Sequence, residues 1–398
     1  MMKKIGFVIP WYADSIPGGA EMELREVTSH LHAAGMNIEI LTTCVKEFGA
    51  DWSVNYYPEG EDKAASGVTI RRFKVRKRDT AAFDAVNAKL MSRTPVTPEE
   101  EDIFLREMVN SPDLCEYMQS RGDEYSLFVF IPYMFGTTYN GVKTAPERSV
   151  LIPCFHDEAY AYLSRFRELF PKAAGMIFNA QPESDLAERL YGFSQSGTKT
   201  ITMGIGMDTD ITADPTAFRS KFGIEGEYLI YVGRIDEGKN CPMMFRYFEE
   251  YKKRDPQSGL KLVLMGKPVC DIPKHKDIIS LGFVSEEDKF SGISGAKALI
   301  LPSRFESLSI SVLEAMSLYV PVIVNGECEV LKGHCIKSNG GLYYNSYFEF
   351  EGIVNYIFSH DAEYAAMREN ARKYIDDNYR WEVIMKNFRE LIDSLCEE

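Results

Sequence analysis

The sequence predicts an α/β protein built from two parallel-sheet domains, and three observations carry that expectation. Short apolar runs rich in β-branched residues alternate with amphipathic stretches along the whole chain, as in sheets covered on both faces by helices. The runs fall into two successive series. The 398 residues are about twice the length of a common single domain, and a 45% hydrophobic content gives each half material for its own core.

The first series is Ile5 to Pro10, Ile38 to Thr42, Leu127 to Ile131, Ser149 to Pro153 and Gly175 to Phe178. The second is Leu229 to Val232, Lys261 to Met265, Ile278 to Gly282, Ala298 to Pro302 and Val320 to Val324. The repetition reads as two Rossmann-like, doubly wound halves. Their join is expected between residues 193 and 215, where Phe193-Ser194-Gln195-Ser196-Gly197-Thr198 is small and polar. Thr94 to Asp102 pairs prolines with acids and reads as a helix start, with its carboxylates at the positive end of the helix dipole.

Bulk composition excludes several function classes. A formal net charge of -14 argues against a surface that wraps nucleic acid, so any anionic ligand must meet a local basic pocket. The eight cysteines contain no C-x-x-C pair and the six histidines do not cluster with them, which gives no metal site. Met1 to Pro10 is basic and then apolar, but the apolar run is short and reads as a first strand, not a leader. No stretch approaches the roughly 18 apolar residues of a membrane span, so the expected location is cytoplasmic.

Three motifs carry chemistry. The first is the loop Pro17-Gly18-Gly19-Ala20-Glu21 before a helical pattern from Met22 to Ala34. Its glycines let backbone approach a ligand at a helix N-terminus, although a plain tight turn has the same composition. The second is Gly233-Arg234-Ile235-Asp236-Glu237-Gly238-Lys239-Asn240, at a strand end before a helix from Cys241 to Lys253. It nearly matches the phosphate-loop pattern, but Asn240 replaces the hydroxyl that would hold magnesium. Arg234 and Lys239 are either a pair aimed at a diphosphate or two solvated cations, and a strand's carboxyl end favours the former.

The third motif runs from Leu301 to Met316 and holds Glu306 and Glu314. With Glu306 in the loop and Glu314 on the following helix, the two carboxylates would grip different parts of an extended ligand. Ser307, Ser309 and Ser311 add small polar groups at the helix start. One dense basic run, Ile70 to Arg78, stands apart in this acidic chain; it is either a solvated strand edge or a patch for acceptor or membrane surface.

Together with His156-Asp157, Gly204-Ile205-Gly206-Met207-Asp208 and Gly282-Phe283-Val284, these motifs stand in the order found in one family. The chain resembles the retaining, nucleotide-sugar-dependent glycosyltransferases of the two-domain GT-B fold, family 4 (glycosyl transferases group 1). The resemblance covers nearly the whole chain and is more specific in the second half. It implies two Rossmann-like domains facing a central cleft. Residues 1–195 would bind acceptor, residues 200–378 would bind donor, and a helix at 380–398 would pack back on the first domain.

By matching position, Arg234 and Lys239 would hold the donor diphosphate, Gly233 would admit it, and Glu314 would bind the ribose hydroxyls. Glu306 would contact the transferred sugar as a catalytic residue, with Leu308 and Ser309 beside it on the donor. Phe283 and Val284 would meet the nucleobase, His156 would sit near the anomeric centre, and Gly18 and Gly19 would let the first domain close on the donor.

The implied activity is hexosyl transfer without metal or cofactor, the nucleotide sugar being a co-substrate. The implied acceptor is a glycan or lipid-linked glycan in polysaccharide or glycolipid assembly, with peripheral membrane association and no nucleic acid. A phosphorylase or synthase on the same fold, or a non-catalytic sugar-binding protein, are the rival readings. Two departures bear on donor preference: Ser307 and Ser309 stand where the family has glycines, and Met203 stands where proline or asparagine is usual.

Overall fold

The structure, a computed structural model, describes residues 3–16 and 18–396. The chain divides into two compact units, Met1–Gly206 with Glu382–Glu398, and Met207–Trp381.

The first unit is built on eight strands: β1 Lys4–Ile9, β2 Ile38–Thr43, β3 Gly60–Lys63, β4 Thr69–Phe73, β5 Tyr125–Phe130, β6 Ser149–Leu151, β7 Gly175–Phe178 and β8 Lys199–Thr202. Their order is β3-β4-β2-β1-β5-β6-β7-β8, parallel except for the β3–β4 pair. The apolar runs are buried on both faces, which is why they read as continuous rather than alternating. The order reverses direction between β1 and β5, and such a switch point opens a crevice at the carboxyl ends of its strands.

The second unit holds six parallel strands: β9 Tyr228–Val232, β10 Lys261–Met265, β11 Ile278–Gly282, β12 Ala298–Leu301, β13 Val322–Asn325 and β14 Gly341–Tyr344. The order β11-β10-β9-β12-β13-β14 puts its switch point between β9 and β12. Those are the strands from which the second and third motifs emerge.

The break between units falls at Gly206–Met207, inside the stretch 193–215 where the join is expected but past the domain limits at 195 and 200, because Lys199–Thr202 adds to β7 as an eighth strand. Helix Trp381–Cys396 buries Ile384, Phe388, Leu391 and Ile392, and Phe388 stacks on Phe7 of β1 with ring centroids 6.1 Å apart. Each such side chain contributes about 2 kcal/mol by leaving water. Pro17 of the glycine loop and residues 397–398 of the expected last helix lie outside the described residues. Helix Pro98–Glu107 starts with a reciprocal cap, in which Thr97 accepts from the Glu100 N–H and the Glu100 carboxylate accepts from the Thr97 N–H. No helix of the described residues is long and apolar enough to cross a membrane.

The basic run forms β4 and the loop after it. Arg71 bonds Glu39 and Glu61, Arg72 is buried and donates to the Tyr12 carbonyl at 2.7 Å, Lys74 meets Glu59 at 2.8 Å, and Arg76 meets Glu107 at 3.0 Å. These cations are committed to the protein's own acids and carbonyls, so the run is not a continuous cationic strip.

Candidate active site

On the β10 side of β9, next to the switch point of the second unit, the turns after β9 and β10 approach so closely that Gly266 has no room for a side chain. A Cβ on Gly266 would stand 1.9 Å from the Gly233 carbonyl oxygen, and both residues have positive φ, 141° and 149°. The Tyr231 hydroxyl donates to the Arg234 carbonyl at 2.7 Å and so fixes the turn. Asp236 is nearly buried; its carboxylate takes the Arg234 guanidinium on one oxygen and the Lys239 N–H, at 2.7 Å, on the other.

Asn240 sits in the left-handed region (φ 59°) and opens helix Cys241–Arg254. Its amide donates to the Pro302 carbonyl at 3.1 Å, and the Asn325 amide donates to that same oxygen at 3.0 Å. The loops after β9 and β12 are thereby clipped to each other and to the end of β13. In this frame the Lys239 ammonium lies 2.7 Å from Glu306 Oε1, joining the second and third motifs across 67 positions of sequence.

Glu306 is in the loop and Glu314 is on helix Ile310–Ser317. Glu314 is buried and meets Lys289 at 2.8 Å. Burial raises the Glu314 pKa, with Lys289 opposing it; burial also works against the Lys289 charge, but Glu314 and Glu286 outweigh it and the lysine pKa rises. Lys289 belongs to helix Glu286–Ser294, which follows β11. Between the carboxylates, Ser309 has φ 71°, a left-handed conformation costing a non-glycine residue about 1–2 kcal/mol. A position that is glycine in the family is thus a glycine position in its geometry here. Leu308 is buried, and its carbonyl lies 2.8 Å from His334 Nε2; burial holds that imidazole neutral, with a pKa of about 4.

Phe283 and Val284 follow Gly282 at the end of β11. Phe283 is 80% exposed, the extreme among the large apolar side chains of the described residues. An aromatic ring offered to solvent at the carboxyl end of the edge strand β11 is a free stacking surface.

The remaining site residues lie in the first unit. A Cβ on Gly18 would meet only the movable end of the Glu21 side chain, at 2.0 Å, and one on Gly19 would meet nothing within 4 Å, so it is the positive φ of Gly18 (153°) that favours glycine there. The other oxygen of Glu21 accepts from the Trp11 indole at 2.6 Å. His156 is partly exposed in the loop after β6, with Nδ1 3.7 Å from a Glu158 oxygen that also accepts from Tyr133 at 2.9 Å.

Beneath His156 lies a buried acidic pair. Glu23 accepts from Asn179 Nδ2 at 3.1 Å, and Glu183 accepts from the N–H groups of Phe155 and Asn179, each at 2.6 Å. Burial pushes Glu23 up to about 7 and Glu183 up to about 8. A carboxyl whose folded pKa is raised holds a proton that the unfolded chain has released. Its stabilisation is complete below about pH 4.5 and is lost as pH rises toward the folded values. Melting temperature is therefore expected to fall between pH 5 and pH 8, and Glu23→Gln should flatten that fall by the equivalent of 1 kcal/mol or more. Parallel melting curves for the two proteins over this range would refute the assignment.

Asp236, Gly266 and Lys289 were not singled out by sequence. Asp236 sits between Gly233 and Lys239, and its position inside that loop was the available signal. Gly266 and Lys289 carry none, since each acts on a residue from a different strand connection.

The comparisons with known proteins agree with this architecture. Residues 226–343, which span β9 to β14, match the family model described as Glycosyl transferases group 1. The chain is 21% identical over 337 residues to the D-inositol 3-phosphate glycosyltransferase of Frankia alni, covering 77% of each chain. Among solved structures it is similar to α,α-trehalose 6-phosphate synthase from Burkholderia multivorans, with a TM-score of 0.73, 12% identity and coverage of 100% of this chain and 99% of that one. It is also similar to an E. coli structure described as trehalose-6-phosphate bound with UDP-2-fluoro glucose, with a TM-score of 0.70, 12% identity and coverage of 98% and 99%. The fold is therefore GT-B. The family match and the curated relatives support an activity of the glycosyltransferase class.

Proposed function

We propose that the protein moves a sugar from a nucleoside diphosphate sugar to a hydroxyl of a glycan or lipid-linked glycan, with retention of configuration, and that the second unit holds the donor. The observation that carries this reading is the assembly of Arg234, Lys239 and Glu306 on the loops after β9 and β12. As the bond from the anomeric carbon to the diphosphate breaks, the electron pair stays on the leaving phosphate oxygen, and cations fixed beforehand stabilise that charge. Arg234 offers a planar fork and Lys239 a point charge. Glu306 holds Lys239 in place and leaves an oxygen for a sugar hydroxyl, Glu314 takes the ribose, and the Phe283 ring and Val284 face the base. The acceptor oxygen forms the new bond to the anomeric carbon, and its proton passes to the leaving phosphate oxygen. His156 and the Gly18–Gly19 loop serve the acceptor side.

UDP, GDP and ADP sugars tested for binding and slow hydrolysis would identify the donor. With cations of the protein serving the diphosphate, hydrolysis or transfer is expected to persist in excess EDTA. Loss of most activity with chelator, restored by magnesium or manganese, would overturn that part of the reading. Turnover of a disaccharide with free phosphate in place of the nucleotide sugar would favour the phosphorylase instead.

A further inference from the structure

The edges of a sheet are where a fold is open to pairing with another chain. In the first unit the outer strand β3 carries Glu61, Asp62 and Lys63, and charges of this kind discourage such pairing. In the second unit β14 ends the sheet with no charged residue, and among the described residues no strand lies on its outer side. The Tyr344 carbonyl accepts from the Gly326 N–H at 2.8 Å and so faces the β13 side. Backbone groups alternate sides along a strand, so those of Tyr343 and Asn345 point outward. The Asn345 N–H is taken by the Glu349 carboxylate, and Gly341 is buried. Tyr343, 36% exposed, is the open position of this edge.

Helices Glu329–Ser338 and Tyr347–Ser359 border the same edge, and with β14 they form an open groove of about 620 Å³. Ile336, 58% exposed, and the partly exposed Leu342, Ile353 and Tyr356 give it apolar walls. Glu349 is the one charged residue that lines it. Gly352 lines it too, in the middle of its helix, and a Cβ there would meet nothing within 4 Å. Glycine weakens a helix interior, and no neighbour among the described residues demands one at this position. Its use is to let another backbone come close to the helix.

We propose that the β14 edge is a contact between two copies of this chain, paired antiparallel about a twofold axis with Tyr343 opposite its own counterpart. Each Tyr343 then donates its N–H to the other's carbonyl, the reciprocal pair of an antiparallel ladder. A single open residue is satisfied in full by this arrangement. A longer foreign strand would carry its further backbone groups past the engaged Asn345 and the buried Gly341 without partners. Charge argues the same way. A chain of net charge -14 draws basic partners, yet the groove offers them only a carboxylate already bonded to Asn345. An uncharged apolar edge fits another such edge, and the twofold brings Ile336, Gly352 and Ile353 of both copies to one seam.

Sedimentation of the full chain over about 1–100 µM is expected to show a concentration-dependent shift toward twice the chain mass, as for a small, weak interface. Ile336→Glu, which puts a charge at the seam, and Gly352→Gln, which fills the open space, should each weaken association by roughly tenfold or more. Gly352→Gln should melt no lower than the parent in dilute solution, because it removes a glycine that weakens its helix. Its lost association then cannot come from a damaged fold. Ile336→Glu gives the same comparison at an exposed side chain should Gly352→Gln melt lower. Phe48→Ser, which removes an exposed ring of the first unit, should leave association unchanged. A parent protein that stays monomeric over the whole range overturns the proposal. So does a dimer that survives both groove variants, or one that Phe48→Ser abolishes equally.

Discussion

Replacing Arg234 by Ala is expected to lower turnover by roughly 10²- to 10³-fold, the scale of a lost donor to a developing negative charge. The Arg234 side chain is 61% exposed and, among the described residues, pairs with Asp236, so its removal should leave folding within about 0.5 kcal/mol of the parent. The loss then belongs to the reaction. Glu314→Gln should fail differently: it keeps the shape but weakens a ribose contact made equally before and during bond breaking, which raises donor KM with little change in kcat. Steady-state kinetics on both variants, with melting curves as the folding control, separate these outcomes. A folded Arg234→Ala protein that turns over donor at the parent rate would show that this loop does not serve the diphosphate.

Lys289→Met is expected to be the most damaging single change to stability at the site. It leaves the buried Glu314 carboxylate without its cation, and breaking such a pair from one side costs about 3–5 kcal/mol. Glu314 can escape by taking a proton, which at pH 7 costs about 3–4 kcal/mol for a carboxylate of ordinary pKa and only about 1 kcal/mol at pH 5. The loss should therefore shrink as the pH is lowered, and adding Glu314→Gln to Lys289→Met should recover most of it at pH 7. Denaturant unfolding at the two pH values measures this directly. Equal losses at both would mean that lost packing of the lysine stem, not the stranded charge, is the cause.

The contrast between Lys289 and Arg234 also marks what was legible in the sequence. Arg234 stands in a glycine-bounded loop at a strand end, a local pattern with a local meaning. Lys289 is one charge in the helix Glu286–Ser294, and only the packing of that helix against Ile310–Ser317 gives it Glu314 as a partner. The buried strands could be read because continuous apolar runs such as Leu262 to Met265 have few alternatives. The edge strands β3 and β14 could not, since Gly60–Lys63 is mostly exposed and Gly341–Tyr344 has no apolar run to announce it. The meeting of Lys239 with Glu306 is likewise a property of strand order, because β9 and β12 become neighbours only when the sheet reverses direction between them.

The return of Glu382–Glu398 to the first unit makes residues 207–381 an insertion within one folding body rather than an appendage to it. During synthesis the whole second unit emerges before the helix that covers Phe7 has been made. The first sheet must wait, with the apolar patch later sealed by Phe388 open to water or to chaperones, while the second unit, contiguous in sequence, is free to finish. The order of translation and the order of completion are therefore reversed in this chain.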